Sequence, residues 1–270
     1  MSGYQRIACL STEAVETLYL LGAADQVCGI SGFTVYPPEA RRDKPKISGY
    51  STAQLERILA VQPDLVVAFS DMQADLAAQL VRAGLEVHVF NHRTLAGMLR
   101  MVQALAALVG RVEAGEELIA ELSAAMAPSP FLMELPEGAR RPRIWFEEWN
   151  EPLISGVGWV SELVALAGGE DAFPELAAHH GAKQRIVADP MDVVARAPDI
   201  IIGSWCGRRF VPDQVTARPG WEVVPAVRDG FVREIKSADI LAPGPTLLTR
   251  GLPQLRALIA EWHKRPEVAA

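Results

Sequence analysis

Little in this chain of 270 residues points to a dedicated chemistry. Cysteine is scarce and odd in number: Cys9, Cys28 and Cys206 cannot form a complete disulfide framework, and they fit a reducing compartment better. No stretch reaches the roughly 18 apolar residues that a membrane helix needs, so a membrane-embedded chain is not expected. Positive charge is thin as well. The formal net charge is −7 and basic residues gather only in short groups such as Arg41-Arg42 and Arg208-Arg209, which leaves no electrostatic footprint for nucleic acid or anionic lipid. The opening Met1-Ser2-Gly3-Tyr4-Gln5-Arg6 lacks the basic region, apolar core and small-residue cleavage site of a leader peptide. Taken literally, that predicts a cytoplasmic chain, or a periplasmic one if a leader has been trimmed.

Catalytic signatures are missing too. There is no Gly-x-x-x-x-Gly-Lys phosphate loop, no Gly-x-Ser-x-Gly elbow, no Cys-x-x-Cys pair and no His-Glu-x-x-His helix. Gly156-Val157-Gly158 precedes a helical pattern, but Ser161 stands where a dinucleotide loop needs its third glycine, so it reads as a strand-to-helix turn.

What is present is an alternation of short apolar runs with helical patterns. Ile7 to Leu10 reads as a buried strand, Ser11-Thr12 as a helix start and Gly22 as that helix's end. Strands follow at Val27 to Ser31, Leu65 to Phe69 and Glu86 to Phe90, with helices at about Ala53 to Val61 and Ala74 to Arg82 between them. Near-continuous apolar strands alternating with helices predict a parallel sheet covered on both faces.

The second half repeats this grammar. Arg6-Ile7 has a counterpart in Arg143-Ile144-Trp145-Phe146, and Glu16-Thr-Leu-Tyr-Leu-Leu-Gly22 in Glu162-Leu-Val-Ala-Leu-Ala-Gly168. Ile58-Leu-Ala-Val-Gln-Pro63-Asp64 matches Val193-Val-Ala-Arg-Ala-Pro198-Asp199, and Ala83-Gly84 before Glu86 has an echo in Asp229-Gly230 before Phe231. Four matches in the same order argue for a duplication. The expected fold is α/β, with two doubly wound lobes built on central parallel sheets: residues 1–110, then a bridging helix within 111–127 (Val112 to Ala125), then residues 128–270.

All six tryptophans, Trp145, Trp149, Trp159, Trp205, Trp221 and Trp262, fall in the second half. Ligands of open α/β sheets gather at the carboxyl ends of strands, which makes Trp149, Trp159 and Trp205 candidates to line a cleft, while Trp145, inside a strand, is a core residue. Glu147 and Glu148 end the same strand, Cys206 follows Trp205, and His179-His180 lie near Lys183. Carboxylate, imidazole and thiolate together would suit a transition metal, but no spacing brings them together, so a metal site stays unassigned. Solvated loop histidines and water-facing glutamates are the plainer account of these residues. Cys9 and Cys28 read as small core residues.

One group of segments carries a family resemblance. Ser31-Gly-Phe33-Thr-Val-Tyr36-Pro37-Pro38-Glu-Ala, Ile47-Ser-Gly-Tyr50 and Leu55-Glu56-Arg57-Ile58 through Pro63-Asp64, with Leu153-Ile-Ser-Gly156 and Trp159-Val-Ser-Glu162 in the second half, resemble the periplasmic binding proteins for cobalamin, haem and iron-siderophores, the cobalamin branch above all. The resemblance implies two lobes joined by one long helix, with a ligand held between aromatic walls. By position it places Phe33 and Tyr50 at the ligand from one lobe, and Leu153 and the Trp159 loop from the other. It further implies that Glu56 docks on arginines of an ABC-transporter permease.

The second docking glutamate falls on Met191, with Asp189 and Asp192 beside it. A tryptophan and an arginine of the cobalamin pocket fall on Arg185 and Ala242, so the second wall is rebuilt, with Trp205, Cys206, Arg208 and Arg209 as candidates. The expectation is a non-enzymatic solute-binding protein for a corrinoid or related metal chelate, needing no resident cofactor and serving an ABC importer as a candidate role. Rival readings from the residues alone are an enzyme on the same frame, such as a chelatase or metal-dependent hydrolase using Glu147, Glu148, His180 and Cys206, and a simple metal-binding protein.

Overall fold

The computed structural model describes residues 3–49 and 55–265. Among the described residues there are ten strands, β1 (Ile7–Cys9), β2 (Val27–Ser31), β3 (Lys46–Ser48), β4 (Leu65–Phe69), β5 (Val87–Phe90), β6 (Arg143–Asn150), β7 (Leu153–Ser155), β8 (Glu170–Asp171), β9 (Ile200–Gly203) and β10 (Val232–Glu234). They form two sheets in two compact units.

The first sheet has the order β3-β2-β1-β4-β5, and every neighbouring pair is parallel. Leu65 to Phe69 is apolar at all five positions and buried throughout, as a strand covered on both faces must be. Ala8, Leu10, Ile47, Ile58, Val66, Ala68 and Leu80 pack into one cluster beneath the helices Leu55–Ala60 and Ala74–Arg82. The second sheet runs β10-β9-β6-β7, with β8 also pairing β6. Here the expectation of a wholly parallel sheet needs correction: β7 runs antiparallel to β6, because only Glu151 and Pro152 separate the strands and so short a link can only make a hairpin.

The duplication extends to individual atoms. The helix before β4 ends with Gln62 at φ 48°, and the helix before β9 with Ala197 at φ 47°; each is followed by Pro and then Asp. A left-handed residue halts the helix and proline keeps it halted. Asp64 Oδ1 accepts from Arg6 N at 2.9 Å, and Asp199 Oδ2 accepts from Arg143 N at 2.8 Å. The Arg6 guanidinium donates to Val61 O, and that of Arg143 to Arg196 O, the equivalent carbonyl. In both units a Pro-Asp joint therefore pins the amino ends of two parallel strands together.

The helix Val112–Ala125 has the expected bounds, and its buried face is Gly115, Leu118 and Leu122. Gly115 lies so close to Ala106 that a Cβ there would stand 2.4 Å from the alanine methyl, which packs this helix onto Leu95–Leu108 of the first unit. That unit extends to Ala124 and also takes in Ala242–Thr246; the second holds Ala125–Leu241 and the chain from Leu247. The division expected from sequence put Ala242–Thr246 with the C-terminal lobe. The segment packs in the first unit because groups there hold it: His92 Nε2 hydrogen-bonds Pro243 O at 2.9 Å, Thr246 Oγ1 bonds Glu16, and Gly244 sits against Glu13. Burial lowers the pKa of His92, keeping the ring neutral, and a carbonyl acceptor requires Nε2 to carry the proton.

Candidate functional site

In each unit the strand order reverses beside a central strand, β1 in the first and β6 in the second, and open α/β sheets bind ligands at the carboxyl side of such a point. The loops at these strand ends form a rim on each unit.

The first rim is apolar. Phe33 is 52% exposed in the loop after β2, Val35 is exposed beside it, and Met72, after β4, is 58% exposed. The Arg41 guanidinium donates to Gly32 O at 3.2 Å and Thr34 O at 2.9 Å, the carbonyls on either side of Phe33, and so fixes this loop. After β4, Ser70 adopts φ 69° and its hydroxyl accepts from Met72 N. The following loop is tied by Arg93, which bonds Asp71 at 2.8 Å. Sequence reasoning placed Phe33 here and missed Val35, Met72 and Arg41; a methionine two residues past an all-apolar strand was the available signal. Tyr50 lies outside the described residues.

The second rim is polar and braced from beneath. Glu147, expected to face water, is 0% exposed. Its carboxylate accepts from Trp145 Nε1 and Trp205 Nε1, each at 3.0 Å, and from both Nη atoms of Arg218 at 2.6 and 2.8 Å. Alternation along a strand would turn Glu147 to the face of Trp145, and that shared face is the buried one. Trp205, expected as a cleft wall, is 2% exposed, with its ring edge-on to Phe210. Trp159 is 5% exposed and donates to Ile240 O at 3.1 Å. Both indoles have their N–H groups engaged within the unit, and Leu153 is buried with them. Trp145 is a core residue.

Among the remaining candidates, Trp149 is half-buried, with its indole bonded to Glu151 O, while Cys206, Arg208 and Arg209 are exposed. Arg208 reaches Asn150 Oδ1 and lies 5.6 Å from the Trp205 ring. Arg185 is buried and forms a bidentate pair with Glu148 at 2.7 and 3.0 Å, also bonding Ser155 O. Glu148 is therefore engaged, not a free ligand. Desolvation, aided by the Glu148 carboxylate, pushes the Cys206 thiol pKa up and keeps it protonated. His179 and His180 are exposed on a loop. Among the described residues no three His, Cys, Asp or Glu side chains come together as a metal would require. In the rival reading that uses Glu147, Glu148, His180 and Cys206, both glutamates are already paired with arginines. Glu56, Asp189 and Asp192 are exposed, and Asp189 caps its helix by accepting from Met191 N.

The profile of the family described as periplasmic binding protein matches residues 7–238. The chain belongs to that family. The vitamin B12-binding protein of Vibrio parahaemolyticus is 25% identical over 247 residues, spanning 90% of this chain and 86% of that one. That of Vibrio campbellii is 28% identical over 203 residues, or 74% and 70% of the two chains. The periplasmic heme-binding protein of Roseiflexus sp. RS-1 superposes with a TM-score of 0.82 at 22% identity, covering 97% of this chain and all of the other (100%). The fold of this family member is thus that of two-lobed periplasmic binding proteins, and its function is solute binding. Among the described residues no helix is long and apolar enough to cross a membrane.

Proposed function

We propose that this chain captures a corrinoid, or a related planar metal chelate such as haem, for an ABC importer, and that it does so by binding without chemical turnover. The observation that carries this reading is the first rim: Phe33, Val35 and Met72 stand exposed at the strand ends where open α/β sheets receive ligands. A large rigid ring buries much apolar area at small entropic cost, and a methionine thioether adapts well to such a surface. The names of the B12-binding relatives support a corrinoid, and the heme-binding structure keeps haem in the same screen. Phe33 and Tyr50 are assigned to the ligand from the first unit. From the second, the half-buried Trp149 and the exposed Cys206 are assigned to it, with Leu153, Trp159, Trp205 and Arg185 behind them as support.

Glu56, together with Asp189 and Asp192, is proposed to meet the permease. All three are exposed; the family resemblance assigns docking to Glu56, on the helix Leu55–Ala60, and to a second position beside Asp189 and Asp192.

Visible absorption spectra during titration with cobalamin, cobinamide, haem and ferric siderophores test the reading. One of these should bind saturably and stoichiometrically, with Phe33→Ala weakening it about tenfold, roughly 1.4 kcal/mol. If none of the four perturbs the spectrum, the chelate assignment is wrong.

A further inference from the structure

A concavity lies at the end of the second sheet opposite its rim. Arg140, Arg141, Arg143, Glu170 and Asp199 line a hollow of about 350 Å³ at the amino ends of β6, β8 and β9. Arg140-Arg141-Pro142-Arg143 puts three arginines in four positions with no acidic residue among them. Asp199 is nearly buried and already committed: it takes Arg140 Nη2 at 2.9 Å on both oxygens and Arg143 N at 2.8 Å. Among the described residues the Arg143 side chain bonds only a carbonyl, Arg196 O, so its charge is not cancelled there. Among the described residues Arg141 has no ion-pair partner, and neither has Glu170. Three positive charges thus face two negative ones, and the hollow keeps an excess of one inside a chain of net charge −7.

The first unit provides an internal control. Its Pro-Asp joint is closed by Gln5 N and Arg6 N on Asp64, with the Arg6 side chain spent on the Val61 and Gln62 carbonyls. Pro142 stands at the Gln5 position without an N–H, and Arg140 takes that place on Asp199; nothing in the first joint corresponds to Arg141, so the joint does not need it. Arginines lining one hollow offer guanidinium donors that match the oxygens of a tetrahedral oxyanion, which several of them can bond at once.

We propose that this hollow binds a phosphate-class oxyanion, either free phosphate or the phosphoryl end of a larger molecule, at a site separate from the ligand rim. Arg141 and Arg143 hold the anion, Arg140 is steadied by Asp199 and by its position 5.2 Å from the Trp262 ring, and Glu170 at the edge opposes binding.

The test is calorimetric titration of the whole protein with inorganic phosphate and with phenyl phosphate, at constant ionic strength held by chloride. Saturable one-site binding is expected in the millimolar range, tighter for whichever source the site serves. Arg141→Gln and Arg143→Gln should each weaken it about fivefold, and Glu170→Gln should strengthen it, with melting curves confirming that each variant folds. Trp149→Ala should leave it unchanged. Heat that never saturates, displacement by chloride at equal concentration, or the same affinity in Arg141→Gln as in the parent would each overturn the site. None of these outcomes bears on the chelate titration at the rim.

Discussion

The two units use one construction and differ in where charge has been placed. Leu10 in the first and Glu147 in the second hold the same place in register, each three residues past the first pair that the central strand makes with its parallel neighbour, Ile7 with Leu65 and Ile144 with Ile200. Both are fully buried. One is a hydrocarbon that needs no partner, whereas the other is a carboxylate that needs Arg218 and two indoles. At the amino end, Gly3-Tyr4-Gln5 stands where the second unit has Arg140-Arg141-Pro142. The shared features, namely the left-handed residue, the proline, the aspartate and the apolar strands, are what the fold requires. The charges found in one copy alone carry a desolvation cost that the fold does not require, and they mark where the second unit has been specialised.

The largest effect should come from breaking that specialisation at Glu147. Removing one partner of a buried ion pair leaves an uncompensated charge, so Glu147→Ala should cost about 3–5 kcal/mol in urea unfolding. The double change Glu147→Leu with Arg218→Met removes the stranded charge and should restore part of that loss, the buried Trp145 and Trp205 N–H groups being left without their acceptor. A double variant as unstable as the single one would show that Glu147 cannot be exchanged as Leu10's equivalent.

This contrast also explains what could be read from the sequence. The strands, the repeat and the Pro-Asp joint were legible because they rest on local signals: apolar runs, helix stops and a constant offset between Asp64 and Asp199. Phe33 was legible only through resemblance. Trp159 and Trp205 looked like cleft walls because they flank strand ends, yet both are buried, their N–H groups held by Ile240 O and Glu147. Long-range partners such as Arg218, 71 residues from Glu147, leave no trace in spacing. The packing of Ala242–Thr246 with the first unit was hidden for the same reason.

The two joints should be unequal in strength. Asp199 is nearly buried and serves two arginines, so Asp199→Ala should cost about 2–3 kcal/mol; Asp64 is exposed and holds two backbone N–H groups, so Asp64→Ala should cost about 1 kcal/mol. Thermal melts of both variants measure the difference, and equal losses would show that Arg140 adds nothing to the joint. A smaller contrast separates the glycines that end the equivalent first helices. Gly22 at φ 69° has nothing within 4 Å of an added Cβ, while Gly168 at φ 93° has a Leu132 methyl at 2.3 Å. Gly22→Ala should therefore cost only the left-handed strain, about 1 kcal/mol, and Gly168→Ala about 1 kcal/mol more.

The smallest effect concerns the starts of those same helices, where Glu13 and Trp159 are equivalent and both buried. Trp159 finds an acceptor for its N–H, but among the described residues Glu13 Oε1 has no hydrogen-bond partner, and burial, reinforced by the nearby Glu16 charge, raises the Glu13 pKa. A carboxyl whose pKa is raised on folding binds more protons folded than unfolded, so its stability contribution is complete below the unfolded value of about 4.3 and declines as pH rises through the folded one. Glu13→Gln removes the ionisation while keeping the shape. The variant should match or slightly trail the parent in acid, gain on it as pH rises above that unfolded value, and hold a constant lead once the parent's carboxyl is fully ionised. Urea midpoints measured from acid to neutral pH trace this curve. A lead that is the same at every pH would mean that Glu13 titrates alike in the folded and unfolded chains, and the buried charge would then have to be sought at Glu16 instead.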